Sequence, residues 1–151
     1  MMAESYRPVG AVTISKEGLA GDYAAFAVDF AESVGIRRRG LLGLRRDDAG
    51  WRPWAQSMGG HYVGDEPAGF LWTTSGGWST SDIEETAVFG GWVGDPAAAS
   101  VRITDVTGRR LEDAVENGVV LFLYRGGFQL HGARVELRDA GGDVIREGIN
   151  G

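Results

Sequence analysis

No cysteine occurs in this chain, which excludes disulfides, thiolate zinc sites and cysteine nucleophiles. The same absence fits an unstapled exported domain as well as a cytosolic one. Lysine is nearly missing too: of the fifteen basic residues only Lys16 is a lysine, and the rest are arginine. Twenty-one acids outnumber them, for a net charge of -6, which argues against a surface built to neutralise nucleic-acid phosphates. No apolar run approaches the length of a membrane span, and Met1 to Pro8 lacks the basic-then-apolar order of a signal peptide, so a water-soluble domain without a leader is expected. The familiar catalytic patterns are absent as well: there is no Gly-x-Ser-x-Gly elbow, no phosphate-binding glycine loop and no His-Glu-x-x-His helix.

What the chain does have is strand alternation and turn chemistry. A motif of the form Val-x-[Ile/Leu]-x-Asp-x-x-Gly occurs as Val101, Ile103, Asp105 and Gly108, and again at a constant offset as Val135, Leu137, Asp139 and Gly142. Each copy reads as strand, tight turn, strand. Between them, Val119 to Tyr124 is apolar at every position, preceded by an Asn117-Gly118 pair with type I′ turn chemistry. Toward the amino terminus a first strand is expected from Val9 to Ser15, closed by a turn at Lys16-Glu17-Gly18. Tyr23 to Phe30 follows, with Ala24, Phe26, Val28 and Phe30 on one face. Leu41 to Arg45, Gly69 to Thr74 and Thr86 to Val93 read as further strands. Trp51 to Pro67 carries Pro53, Gly59, Gly60, Gly64 and Pro67 and is expected to be irregular.

With about ten short strands, turn signals between them and little or no helix, the chain is expected to be one all-β domain over residues 1–151, an antiparallel β-sandwich with Greek-key-like connections. At 151 residues it can bury roughly 70% of the surface its unfolded chain exposes, so no staple is required. The apolar strand poses a problem for a two-sheet sandwich. Val119, Leu121 and Leu123 face one way and Val120, Phe122 and Tyr124 the other, so neither face suits water. Either the Trp51 to Pro67 segment folds over it, or a second subunit covers Val120, Phe122 and Tyr124.

Residues 89 to 147 resemble the carboxy-terminal part of actinobacterial and other Gram-positive membrane-tethered ectodomains. The matching residues are Gly90-Gly91-Trp92-Val93, Val101-Arg102-Ile103, Asp105 to Gly108, Asn117-Gly118, Val119 to Tyr124, and Val135 to Gly142. The resemblance implies a β-sandwich outside the membrane, with no established activity and no catalytic residues to transfer; no anchor is found in this chain.

Three functional classes compete. The favoured one is a non-enzymatic protein-interaction or assembly module without a cofactor, using Trp51, Trp54 and Trp78 as loop anchors and Arg38, Arg39 and Arg46 to steer an acidic partner surface or a second copy. Those arginines belong to a run of Arg37, Arg38, Arg39, Arg45, Arg46 and Arg52, which strand alternation divides between two faces beside Asp47 and Asp48. The first alternative is a small-molecule or carbohydrate-binding module, with the same tryptophans as a stacking platform. A carboxylate- or histidine-dependent hydrolase is the second, drawing on His61, His131 or the Asp82, Glu84 and Glu85 cluster.

Overall fold

The computed structural model describes residues 11–33, 36–63, 70–74, 86–125 and 128–149. Among them the chain is an all-β antiparallel sandwich with no helix. Eleven strands are formed: β1 (Thr13–Ala20), β2 (Tyr23–Ser33), β3 (Ile36–Asp47), β4 (Gly50–Val63), β5 (Phe70–Thr74), β6 (Thr86–Val93), β7 (Ser100–Thr104), β8 (Arg110–Ala114), β9 (Val119–Arg125), β10 (Arg134–Arg138) and β11 (Val144–Ile149). They hydrogen-bond into three sheets, ordered β1-β2-β3-β4, β5-β6-β9 and β11-β10-β7-β8.

The β5-β6-β9 sheet is the middle layer, and its alternation supplies both cores. Val88, Trp92, Val119 and Leu121 pack toward the first sheet, where small residues at Ala25 and Ala27 allow close approach beside Leu41. Phe89, Val93, Val120 and Phe122 point the other way, onto Val101, Ile103, Val135 and Leu137 of the third sheet. On that side the Phe89 and Phe122 rings stack at 4.9 Å, and Phe89 meets the edge of the Tyr124 ring at 5.4 Å. The two-faced apolar strand is therefore buried on both sides within the chain, by whole sheets. The Val120, Phe122 and Tyr124 face is covered by β7 and β10, and no second subunit is needed to close it.

The two motif copies are related by a local two-fold within the third sheet. β7 and β10 pair antiparallel so that Val101 opposes Leu137 and Ile103 opposes Val135, with Arg102 opposite Glu136 at the centre. Each copy then turns identically. The Asp105 carboxylate accepts the Thr107 and Arg109 N–H groups and the Thr107 hydroxyl, and that of Asp139 accepts the Gly141 and Asp143 N–H groups. Gly108 and Gly142 take φ of 90° and 86°, a region that penalises any Cβ. Asn117 and Gly118 form the expected two-residue turn, both at positive φ. Beyond a single bridge, however, β8 and β9 part into different sheets. Among β6 to β9, and again among β7 to β10, the fourth strand lies beside the first, which is the Greek-key connection.

Two expectations at the amino-terminal end are corrected. The first strand does not stop at Lys16: it bulges at Ser15 and runs on to Ala20, with the turn at Gly21-Asp22. Residues 50–63 are not irregular but form β4, the longest strand. Its breakers are tolerated because β4 is an edge and because they sit at register shifts. Pro53 adjoins a bulge whose extra residue is Trp54, and Gly59 and Gly60 fall at a second shift opposite Arg39.

Candidate functional site

The surface feature that stands apart is the outer face of the first sheet, on the side away from the middle sheet. Ala25, Ala27 and Leu41 point inward, so the alternate residues of β2 and their cross-strand partners point outward. One outward row reads Leu19, Ala24, Leu44 and Pro53, and the next, at the hairpin tips, reads Arg46 and Trp51. Ile14 lies further along, opposite Val28. Leu19 is 76% exposed, Ile14 56% and Trp51 44%. Phe26, Leu42 and Leu44 between them are only half-buried.

Charge at this end is neutralised locally. The Arg46 guanidinium lies over the Trp51 ring, 5.4 Å from its centroid, and donates to Asp22 Oδ1 at 3.2 Å. Arg52 pairs with Asp47 at 2.9 Å. A backbone hydrogen bond from the Arg46 N–H to the Asp22 carbonyl, 2.7 Å, fastens the two hairpin tips together. The inner side of the same end is occupied by Tyr23, whose ring takes the edge of Trp54 at 4.8 Å and carries Arg45 over its face.

The residues named from sequence therefore separate. Trp51 and Arg46 come together at the surface, whereas Trp54 fills the bulge of β4 and packs against the inner core. Arg38 is buried, on the opposite face from Arg37 and Arg39. Arg39 lies over Trp92 and, with Arg37, pairs with Asp29. Trp78, Asp82, Glu84 and Glu85 lie outside the described residues. His131 is exposed in the turn before β10, and the backbone of His61 pairs with Arg38 in β4. Among the described residues no three metal-ligating side chains converge. The acidities of Asp105 and Glu112 are both displaced downward. The Thr107 hydroxyl and backbone N–H groups hold Asp105 ionised against the opposing effect of burial, and Arg102 does so for Glu112. Both stand in structural turns or ladders of the third sheet.

Leu19 was missed in the sequence because a turn was expected just before it. Its exposure is a property of the sheet face, which a strand longer by five residues turns toward water.

The fold and this surface define a class: a three-layered antiparallel β-sandwich whose outermost meander exposes Ile14, Leu19 and Trp51 on its outer face, while Ala24, Val28 and Phe30 of the same face are buried. No protein-family model, curated protein or solved structure matches the chain.

Proposed function

We propose that the protein is a non-enzymatic interaction or assembly module that docks through the outer face of β1 to β4 at the Trp51 end. The observation that carries this reading is the placement of three large exposed apolar side chains, Ile14, Leu19 and Trp51, on one face of one sheet. Scattered exposed apolar residues are ordinary, but a shared face is the form that an interface takes before it is filled. Trp51 is suited to an anchor because Arg46 stacks on its ring and limits its rotation. The neighbouring arginines are paired with Asp22 and Asp47, so the partner surface is apolar and close to neutral, and acidic steering has a small part. A second copy of this chain offers such a surface. An extracytoplasmic setting, as the resemblance of residues 89 to 147 implies, belongs to the same proposal.

Light scattering coupled to size-exclusion chromatography, at low and high salt, tests it. The expected result is an oligomer insensitive to salt that Leu19→Asp or Trp51→Ala dissociates. An oligomer that survives both substitutions overturns the site, and a monomer at every concentration removes self-assembly from the reading. Quenching of tryptophan fluorescence by oligosaccharides, lost in Trp51→Ala, would instead make the same ring a sugar platform.

A further inference from the structure

A second surface lies on the third sheet, across the middle layer from Trp51. β11 is the terminal strand of that sheet and all six of its residues are exposed. Its pairing with β10 fixes which side chains share the outer face. Glu147 opposes Glu136, and Ile149 opposes Arg134. A bulge between Leu137 and Arg138 brings Val144 opposite Arg138, with Ile145 as the extra residue. The outer face of β11 thus reads apolar, acidic, apolar, with Ile149 68% and Val144 44% exposed.

Glu147 is the anomaly in this row. Carboxylates placed directly opposite one another across a strand pair repel. Glu136 escapes the consequence because Arg134 and Arg138 pair with it at 3.2 and 2.9 Å. Across the row, Arg102 is held by Glu112. Glu147 has no ion pair among the described residues, and the position that would relieve it is the one beyond the edge of the sheet, where a further strand would lie.

We infer that β11 is a strand-addition site for an extended segment of another protein, one whose strand face reads apolar, basic, apolar at alternate positions. The basic residue would sit opposite Glu147, and the flanking apolar side chains against Ile149 and the Val144-Ile145 bulge. A second copy of this chain does not fit. Two identical strands pairing antiparallel about a two-fold keep their faces, so Glu147 would meet a residue from the outer face of the copy's own β11. That face holds only valine, isoleucine and glutamate. Charged residues and a bulge are also the usual guards of a sheet edge, and β11 has both. Here the guard charge makes the edge selective, because an incoming strand without a base leaves the Glu147 carboxylate unpaired beside it.

The test uses fluorescein-labelled synthetic peptides about ten residues long, enough to span β11. One face of each is threonine, and the other reads valine, lysine, valine or valine, glutamate, valine. Anisotropy with the whole chain is expected to show the lysine peptide binding at least about tenfold tighter than the glutamate peptide, more weakly at high salt. N-methylation of alternate peptide amides should abolish binding, since strand addition depends on main-chain hydrogen bonds. Glu147→Lys, at an exposed position, should leave the thermal unfolding curve in place and reverse the preference. Equal binding of both peptides, indifference to N-methylation, an unchanged preference in Glu147→Lys, or no binding by the lysine peptide at about 1 mM would each overturn the proposal. None of these readouts depends on the Trp51 face.

Discussion

Lys16 Nζ lies 2.7 Å from Asp113 Oδ2, a salt bridge between β1 and β8 that spans 97 residues of chain. Lys16 also donates to the Ala114 carbonyl, and its side chain is only 8% exposed. The same Asp113 oxygen accepts the Leu121 N–H of β9 at 2.8 Å. One carboxylate thus joins a strand from each of the three sheets, and it satisfies an amide on the side of β9 away from β6.

Breaking this junction from the acidic side should be costly. Asp113→Ala leaves a buried ammonium and an unpaired amide, and is expected to lower stability by about 3 kcal/mol in urea unfolding. Lys16→Met removes the charge together with its desolvation cost and should lose less than half as much. Equal losses in the two variants would show that the lysine contributes by pairing alone.

Gly90 of β6 lies directly against the backbone of β9 at Val120 and Leu121. A Cβ there would run into the Val120 carbonyl oxygen and lie 3.3 Å from the Leu121 Cα, both backbone atoms that cannot rotate away. Gly90→Ala should destabilise by about 3 kcal/mol, while Gly148→Ala on β11, where nothing lies within 4 Å, should fall within about 0.5 kcal/mol. Chemical denaturation of the two variants side by side checks this.

Acid should weaken the third sheet through Asp105 and Glu112. Both carboxyls are held below their ordinary range in the folded chain, so the unfolded chain binds protons more readily. Their contribution is complete at neutral pH and is lost as the pH falls below about 4. Thr107→Val, which removes the largest cause for Asp105, should be less stable than the parent at pH 7. The difference should shrink as the pH falls below the ordinary carboxylate range in paired urea titrations; a difference constant with pH would refute the role of that hydroxyl.

Trp54 encloses an indole N–H that has no hydrogen-bond acceptor among the described residues. Trp54→Phe deletes that donor but keeps a ring against Tyr23, so the change is expected to stay within about 1 kcal/mol. Trp54→Ala should cost about 3 kcal/mol by emptying the bulge. Thermal denaturation of both variants separates the donor from the volume.

Much of the carboxy-terminal half was readable in the sequence because its signals are local. Asp-x-x-Gly at residues 105–108 and 139–142 specifies a turn through the side chain and glycine of the turn itself, and Asn117-Gly118 does the same. The alternation of Val119 to Tyr124 also announced that both faces needed cover. The amino-terminal meander was harder to read, since Pro53, Gly59 and Gly60 act as breakers only where a strand is paired on both sides without shifts. Of the candidate site, Trp51 was named as an anchor and Arg46 as a steering charge, and the structure sets the one beside the other at the surface, whereas Arg38 is buried on the outer face and Trp54 is turned inward by a bulge.

The sequence by itself determined the all-β class, the repeated hairpin and the two-faced apolar strand, because periodicity and turn geometry are written in neighbouring residues. Only the tertiary structure decided that two further sheets cover that strand, that the lone lysine meets Asp113, and that Leu19 and Trp51 share a face. Those relationships join positions far apart in the chain, and they depend on register and on bulges. A shift of one residue exchanges the buried and exposed faces of a strand, and no local pattern in this chain fixes where β1 and β4 shift.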